Sequence, residues 1–244
     1  MLAPLLGYAG MLLLSGVSVI QAQEVTVTGQ IEVKSEGSAP NGKRSRANVV
    51  VWLTALDDRP GLRPVSEGSS AKLPRLVQKD KRFDPHLLVV PAGTPVEFPN
   101  RDPFFHNVFS LFEGKRFDLG LYEAGTTRVV RFDRPGVSYI FCNIHPEMSA
   151  VVVALKTPYY GISDAAGKIT MEGVPEGRYS MQVWAESASV DSLKALARQI
   201  TISSNSHSLG AVRIVEDSPP GPHKNKYGRD YDAPGTDYPA TDPK

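Results

Sequence analysis

The chain has a single cysteine, Cys142, so an intramolecular disulfide is impossible and buried side chains must hold the fold together. Hydrophobic residues make up 41% of the 244 residues and charged residues 22%, which is ordinary globular composition. The net charge is +1, and no basic stripe suited to a nucleic acid is present. The composition therefore predicts one large or two small cores, and it favours proteins over nucleic acids as partners.

Short hydrophobic runs with a period of two predict a chain built of β-strands. Val25, Val27, Ile31 and Val33 alternate with polar residues, which is typical of a half-buried strand. Turn residues rich in Gly, Pro, Asn and Asp separate the later candidates. Those candidates lie at 48–53, 87–90, 96–98, 128–132, 137–141, 151–153, 179–183, 200–202 and 211–215. This pattern predicts an all-β fold of the β-sandwich class, with one short helix within 189–198.

The two ends of the chain differ from the rest in composition. Residues 1–22 contain an apolar run from Leu12 to Ile20 and a small residue, Ala22, which predict a secretory signal peptide. No Lys or Arg precedes that run, so an uncleaved membrane anchor stays open as an alternative. No other segment is long and apolar enough to cross a bilayer. Residues 217–244 lack periodicity, and we expect a disordered tail without a site.

A soft-ligand pattern surrounds the lone cysteine. Cys142, His145 and Met148 follow the spacing Cys-x-x-His-x-x-Met, which a tight loop can wrap around one ion, and His106 lies upstream. A thiolate, two imidazoles and a weak thioether are the ligands of a type 1 copper site. Two alternatives stay open, in which Cys142 is a small buried hydrophobe and Met148 fills the core. Glu147 is a hard donor, and we expect it to face solvent.

The other histidines have no ligand partners at a suitable spacing. His86, His207 and His223 therefore read as ordinary loop or surface residues.

Residues 72–157 resemble a cupredoxin, the family of plastocyanin, pseudoazurin and amicyanin. The short ligand-loop spacing is most similar to that of amicyanin. The matching positions are Phe83 and Pro85, Gly93-Thr94 and Val96, Phe98, Asn100 and Asp102, His106-Asn107-Val108, and Tyr139, Phe141-Cys142 and His145-Pro146. The resemblance implies a Greek-key β-sandwich that binds one type 1 copper ion.

The same resemblance implies roles for residues beside the ligands. The backbone N–H of Asn107 would donate to the Cys142 sulfur and tune the metal from outside its ligand shell. His145 would present its ring edge at the surface as the port for electrons. Phe104, Phe105 and Pro146 would form an apolar rim around that port, suited to transient docking.

Residues 24–56 and 158–216 together resemble one carboxypeptidase regulatory-like β-sandwich. Gly29 in the first strand, Asn48 to Val51, Asp164 with Gly167, and the run from Val174 to Tyr179 carry this resemblance. We hypothesise that the cupredoxin-like domain is inserted into this second, small sandwich or packed on it. In the alternative, the early strands extend the cupredoxin sheet. Exported proteins that combine such domains resemble those labelled methylamine utilisation proteins, a label that does not name the partner.

The predicted function is that of an exported, periplasmic type 1 copper protein that passes single electrons between redox proteins such as a cytochrome or a dehydrogenase. Phe141 and Asn143 flank Cys142, where multicopper oxidases and copper nitrite reductases place a histidine, and four ligands leave no open position for a substrate. The protein is therefore not predicted to be an enzyme. Two alternatives are a periplasmic copper-binding or copper-handling protein without an electron-transfer role, and an interaction module that binds no metal.

Overall fold

A computed structural model describes residues 23–35, 45–57, 72–111, 114–216 and 223–231. Within these ranges the chain forms sixteen strands and one short helix, which confirms the predicted all-β class. The strands are β1 Glu24–Ser35, β2 Val50–Ala55, β3 Val77–Lys79, β4 Arg82–Asp84, β5 Leu87–Pro91, β6 Thr94–Pro99, β7 His106–Ser110, β8 Phe117–Tyr122, β9 Thr127–Phe132, β10 Gly136–Cys142, β11 Ser149–Leu155, β12 Tyr160–Ile162, β13 Lys168–Pro175, β14 Gly177–Trp184, β15 Arg198–Ile202 and β16 Ser208–Glu216. The helix is α1 Val190–Ala195.

Strands β3 to β11 build what we call the central sandwich. One of its sheets has the order β5-β11-β10-β7-β8, and the pairs β6–β9 and β3–β4 supply the rest. Alternate side chains of the facing strands meet in one core, which includes Phe98, Val108, Phe132, Ile140 and Val152. The arrangement is a β-sandwich, as the sequence predicted. Its strands β7 and β10, which carry His106 and Cys142, lie side by side in the larger sheet.

The remaining strands form a second unit, the terminal sandwich. Its two sheets have the orders β12-β2-β14-β15 and β13-β1-β16. Val27, Ile31, Met171, Tyr179 and Met181 belong to the core between them. Strand β2 precedes the central sandwich and β14 follows it, yet the two pair directly, with Leu53 opposite Met181 and Val51 opposite Val183. This pairing is what the insertion hypothesis requires, and neither β1 nor β2 joins the five-stranded sheet.

Strand β11 joins the two sandwiches because both of its faces are buried. Ala150, Val152 and Ala154 face the central core, whereas Val151, Val153 and Leu155 belong to a separate cluster. That cluster also contains Val50 and Trp184 of the terminal sandwich. A strand buried on both faces reads as a continuous hydrophobic run, which explains the sequence from Ala150 to Leu155.

Two expectations about the rest of the chain have different outcomes. The expected short helix is present as α1, and the side chain of Ser189 caps it by accepting a hydrogen bond from the backbone N–H of Ser192 at 3.2 Å. The expectation of a featureless tail over 217–244 needs correction for residues 223–231, which pack against the central sandwich. The rest of that tail and the predicted signal peptide at 1–22 lie outside the described residues.

In the part of the chain that the structure describes, no helix is long and apolar enough to cross a bilayer.

Candidate metal centre

Three of the four predicted ligands meet at one end of the central sandwich. Cys142 ends β10 and His106 begins β7, and because Cys142 pairs with Val108 these two strand ends are adjacent. The Cys142 Sγ lies 3.6 Å from Nδ1 of His106 and 3.6 Å from Nδ1 of His145. The three ligand atoms all lie within 4.8 Å of one another. Among the described residues, this is the one group of three or more His, Cys, Asp or Glu side chains with metal-binding spacing.

Backbone hydrogen bonds shape the loop from Cys142 to Met148. The N–H of Met148 donates to the carbonyl of His145 at 3.1 Å, and the N–H of Cys142 donates to the carbonyl of Met148 at 3.3 Å. These bonds bring the loop back onto β10, so that the seven-residue segment closes on itself. Met148 is fully buried and belongs to the same core cluster as Cys142. Pro146 and Glu147 are exposed at the tip, as expected for Glu147.

A buried carboxylate fixes the orientation of His106. Nε2 of His106 lies 2.9 Å from Oδ2 of Asp102, and because a carboxylate only accepts, Nε2 carries the proton. The lone pair of Nδ1 is therefore directed to the side of the ring that faces Cys142. Burial acts to raise the pKa of Asp102, but hydrogen bonds from His106 and from the backbone N–H groups of Lys81 and Asp80 outweigh it and lower that pKa. A charged carboxylate on the second nitrogen is a common support for metal-bound histidine.

Three backbone N–H groups point at the cysteine sulfur. They belong to Asn107, Ile144 and His145, and each favours the thiolate over the thiol. The donation from Asn107 is the contact that the sequence resemblance implied. Burial still dominates and raises the pKa of the Cys142 thiol, so the thiol keeps its proton until a cation replaces it.

The surroundings of the two histidines favour the neutral imidazole, and the two side chains differ in their exposure. Burial lowers the pKa of His106 and that of His145, and for His145 the proximity of His106 lowers it further. Neutral imidazole is the form that binds metals. His106, Cys142 and Met148 are fully buried, whereas His145 keeps part of its ring at the surface.

Aromatic contacts surround the exposed edge of the site. The Phe104 ring lies 5.4 Å from His106 and 5.3 Å from His145, measured between ring centroids. Phe105 beside it is 51% exposed, and Pro146 is exposed as well. The structure therefore places Phe104 as packing for both imidazoles, with Phe105 and Pro146 at the surface.

The spacing of the three donor atoms fits a bound ion. An ion with bonds of about 2.3 Å to sulfur and about 2.0 Å to nitrogen, as zinc has in proteins, separates those atoms by about 3.6 Å at angles between the tetrahedral and trigonal values. The two observed distances equal that value. A cysteine, two histidines and a methionine form the donor set that copper occupies in electron-transfer sites.

Sequence reasoning missed several polar residues around the ligands. Asp102 was matched to the cupredoxin pattern without a role, although its position four residues before His106 was a usable signal. Asp118 on β8 accepts a hydrogen bond from the side-chain amide of Asn107 at 2.7 Å. The sequence predicts an ordinary loop or surface residue at His223, yet its ring stacks on Phe141 with centroids 4.1 Å apart. No local sequence pattern indicates these last two contacts.

The remaining histidines lie away from the site. His86 contacts Glu186 at 2.7 Å, and His207 contacts the carbonyl of Ser204 at 3.1 Å. Neither belongs to the metal-binding group, in agreement with the sequence reading.

Comparison with known proteins gives structural matches only. No family model matches the sequence, and no curated protein matches it. A purple cupredoxin from Nitrosopumilus maritimus is 23% identical, with 34% of this chain and 99% of that one covered and a TM-score of 0.31. A reduced amicyanin variant is 18% identical, with 43% and 98% covered and a TM-score of 0.33.

A copper-containing nitrite reductase from Thermus scotoductus SA-01 also matches. It is 25% identical over 38% of this chain, with a TM-score of 0.33, and the match spans 25% of the reductase. At these TM-scores the matches carry no argument about function. The function is therefore argued from the residues of the site.

Proposed function

We propose that this protein is an exported type 1 copper protein that transfers single electrons between redox partner proteins. The observation that carries the proposal is the convergence of His106, Cys142 and His145, with both histidine Nδ1 atoms 3.6 Å from the cysteine sulfur. We assign Met148 as the weak fourth ligand, because it is buried in the same core cluster and its backbone bonds to Cys142. Copper bound by these residues would supply a one-electron couple.

The surroundings of the ligands suit electron transfer. The backbone donors to the Cys142 sulfur and the carboxylate behind His106 hold two ligands in place before any ion arrives. A site held rigid by its neighbours changes little between oxidation states, which keeps the cost of moving an electron low. His145 alone among the proposed ligands reaches the surface, so we assign it as the electron port, with Phe105 and Pro146 at its rim.

Two features argue against catalysis and against copper delivery. A thiolate, two imidazoles and a thioether complete a four-coordinate site and leave no position for a substrate. Three of the four proposed ligands are fully buried, which suits slow exchange better than transfer of the ion to another protein. We therefore propose a carrier of electrons, with a cytochrome or a dehydrogenase as the class of partner.

The proposal includes the domain organisation and the location. We assign residues 72–157 to the copper-binding domain and residues 24–56 plus 158–216 to a split second sandwich, supported by the pairing of β2 with β14. A signal peptide at 1–22 would place the protein in the periplasm. No chemistry is assigned to the second sandwich.

The test is a visible and electron-paramagnetic-resonance spectrum of the protein after addition of Cu(II) and removal of loose ion. We expect an intense thiolate-to-copper band and narrow hyperfine splitting. His145→Ala should weaken or abolish that band, while His207→Ala, a surface histidine in the terminal sandwich, should leave it unchanged. A weak tetragonal signal without the band in the unaltered protein would overturn the proposal, because Cys142 would then not bind the copper.

A further inference from the structure

The segment 223–231 crosses the ligand-bearing end of the central sandwich and makes three direct contacts there. The hydroxyl of Tyr231 donates to the carbonyl of Cys142 at 2.6 Å. The backbone N–H of Lys226 donates to Oδ1 of Asn143 at 2.9 Å. The ring of His223 stacks on Phe141, with an angle of 25° between the planes. The segment therefore holds Cys142 itself and the residues on both sides of it.

A second line of contacts reaches the other ligand-bearing strand. The Lys226 Nζ donates to Oδ2 of Asp118 at 2.9 Å, and Oδ1 of Asp118 accepts from the Asn107 side chain at 2.7 Å. The backbone of that same Asn107 donates to the Cys142 sulfur. The segment is thus connected to Cys142 in two ways. Tyr231 bonds directly to its carbonyl, and Lys226 acts through Asp118 and Asn107, whose backbone N–H donates to the sulfur.

The segment has its own internal structure. Oδ1 of Asn225 accepts from the backbone N–H groups of Tyr227 and Arg229 at 2.9 and 3.1 Å. Lys224 and Asp230 form an ion pair across the turn at 2.5 Å. Gly228 adopts a φ of 75°, which favours glycine. A turn ordered in this way loses less entropy when it packs on the sandwich than a flexible tail would.

We propose that residues 223–231 act as a strap that positions Cys142, with Tyr231 as its main positioning residue and Lys226 as its second. The role of the strap in metal binding rests on the proposed copper site. Its contacts with Cys142 and Asn143 do not, because they are present in the metal-free protein. Without the strap, the backbone carbonyl of Cys142 and the side-chain amide of Asn143 each lose a hydrogen bond, and Phe141 loses a stacked ring. The loop then opens more often, and the sulfur is less well placed for an ion.

The first test measures how fast a thiol reagent modifies Cys142 in the metal-free full-length protein under native conditions. The single buried thiol reacts only when its surroundings open, so the rate reports the opening equilibrium. Tyr231→Phe removes the hydrogen bond to the Cys142 carbonyl and the 3.3 Å contact of the hydroxyl with Nδ1 of His223. We expect the rate to rise about fivefold or more, since one typical hydrogen bond changes an equilibrium by about that factor. Lys226→Met should also raise the rate.

Matched controls separate the strap from general effects. Tyr160→Phe removes a hydroxyl from the terminal sandwich, and Lys115→Met breaks a surface ion pair with Asp133 outside the segment. Both should keep the rate of the unaltered protein. A Tyr231→Phe rate equal to that of these controls would overturn the proposal. So would a rate in the unaltered protein that equals the global unfolding equilibrium multiplied by the rate of an exposed thiol, since Cys142 would then react only when the whole protein unfolds.

The second test uses the copper-loaded protein and separates the two proposals. Tyr231→Phe should shift the thiolate-to-copper band while the far-ultraviolet circular dichroism stays that of the folded protein, because the sulfur changes position within an intact fold. If the unaltered protein shows no such band, the proposed function fails, and the thiol rates still decide the strap. If the unaltered protein shows the band and Tyr231→Phe changes neither the band nor the thiol rate, the strap is wrong and the copper site stands.

Discussion

The central and terminal sandwiches use buried polar side chains in different ways. In the terminal sandwich, the Ser163 hydroxyl accepts from the backbone N–H of Val49 and donates to the carbonyl of Arg46, so both bonds hold the backbone in place. In the central sandwich, His106 and Asp102 bond to each other and leave one imidazole nitrogen facing the Cys142 sulfur. A buried polar side chain that bonds only to the backbone indicates a structural role. A buried pair of side chains that leaves one nitrogen lone pair available for a metal ion indicates a functional site.

The same contrast appears in how the two regions are packed. The terminal core contains side chains such as Tyr179 and Met181, and the Tyr179 hydroxyl bonds back to the carbonyl of Pro175 at 2.6 Å. The central core contains Cys142 and Met148 at its edge, beside a partly exposed histidine. The terminal core thus bonds its polar atom back to the backbone, whereas the central core ends at a partly exposed imidazole. Changes in the two regions should therefore have separable effects.

The largest expected effect is the loss of copper colour on Cys142→Ser. The substitution removes the soft thiolate and keeps the size of the side chain, so the intense visible band should disappear completely while the far-ultraviolet circular dichroism is retained. Absorption and circular dichroism of the copper-treated variant measure the two properties. An intense blue band that survives in this variant would contradict the assignment of the thiolate and, with it, the contrast between the regions.

The reciprocal change is Met181→Ala in the terminal sandwich. Met181 is fully buried opposite Leu53, and truncating it leaves a cavity that should lower the free energy of unfolding by about 2–5 kcal/mol. Denaturant unfolding measures that loss. The copper spectrum of the folded variant should match that of the unaltered protein. A changed spectrum would show that the terminal core shapes the metal site, and the two regions would then not be separable.

A smaller effect is expected for Asp102→Asn. The amide keeps the shape but loses the charge, and it cannot accept from His106, Asp80 and Lys81 together as the carboxylate does. Copper affinity should fall about 10- to 100-fold, the usual effect of altering such a support. Loss of the negative charge should also raise the reduction potential, because the charge favours Cu(II) over Cu(I).

A competition titration and voltammetry measure these two quantities. Asp133→Asn provides the matched control, since Asp133 is exposed and pairs with Lys115 at the surface. If both variants bind copper as the unaltered protein does, Asp102 does not support the metal site.

Features whose residues lie close together along the chain could be predicted from the sequence. Cys142, His145 and Met148 share one loop, so spacing alone was sufficient to group them, and alternation with a period of two identified most strands. The second sandwich was harder, because its pairing of β2 with β14 joins segments from both sides of the central sandwich. Only the resemblance to a carboxypeptidase regulatory-like sandwich, carried by positions such as Gly29, Asp164 and Gly167, suggests from the sequence that the two segments belong together.

The contacts of the segment 223–231 could not be predicted from the sequence. Lys226 bonds to Asn143 across 83 positions and to Asp118 across 108, and Tyr231 bonds to Cys142 across 89. The segment is polar and basic, with two tyrosines, and it has no hydrophobic period that would indicate packing. Its order depends on single polar contacts with a surface that exists only after the sandwich has formed.

The smallest expected effect concerns a bond that joins the two regions. Nε2 of His86 in the central sandwich lies 2.7 Å from Oε2 of Glu186 in the terminal sandwich, and Nδ1 lies 3.1 Å from the carbonyl of Ser149. The hydrogen bond to Glu186 raises the pKa of His86, and burial opposes this only in part. Both nitrogens have acceptors as partners, as suits the doubly protonated ring.

Stability should therefore depend weakly on pH. Because the folded-state pKa of His86 lies above the unfolded value of about 6.5, the contribution is fully present below that pH and is lost as the pH rises through the folded pKa. The side chains are 41% and 35% exposed, so we expect at most about 1 kcal/mol, as for other surface pairs. Urea unfolding midpoints across this range should decline for the unaltered protein, and Glu186→Gln should flatten the decline, whereas His207→Ala should keep it. An unchanged slope in Glu186→Gln would mean that the two sandwiches are held together by the apolar cluster around Val151 and Trp184 alone, without help from this pair.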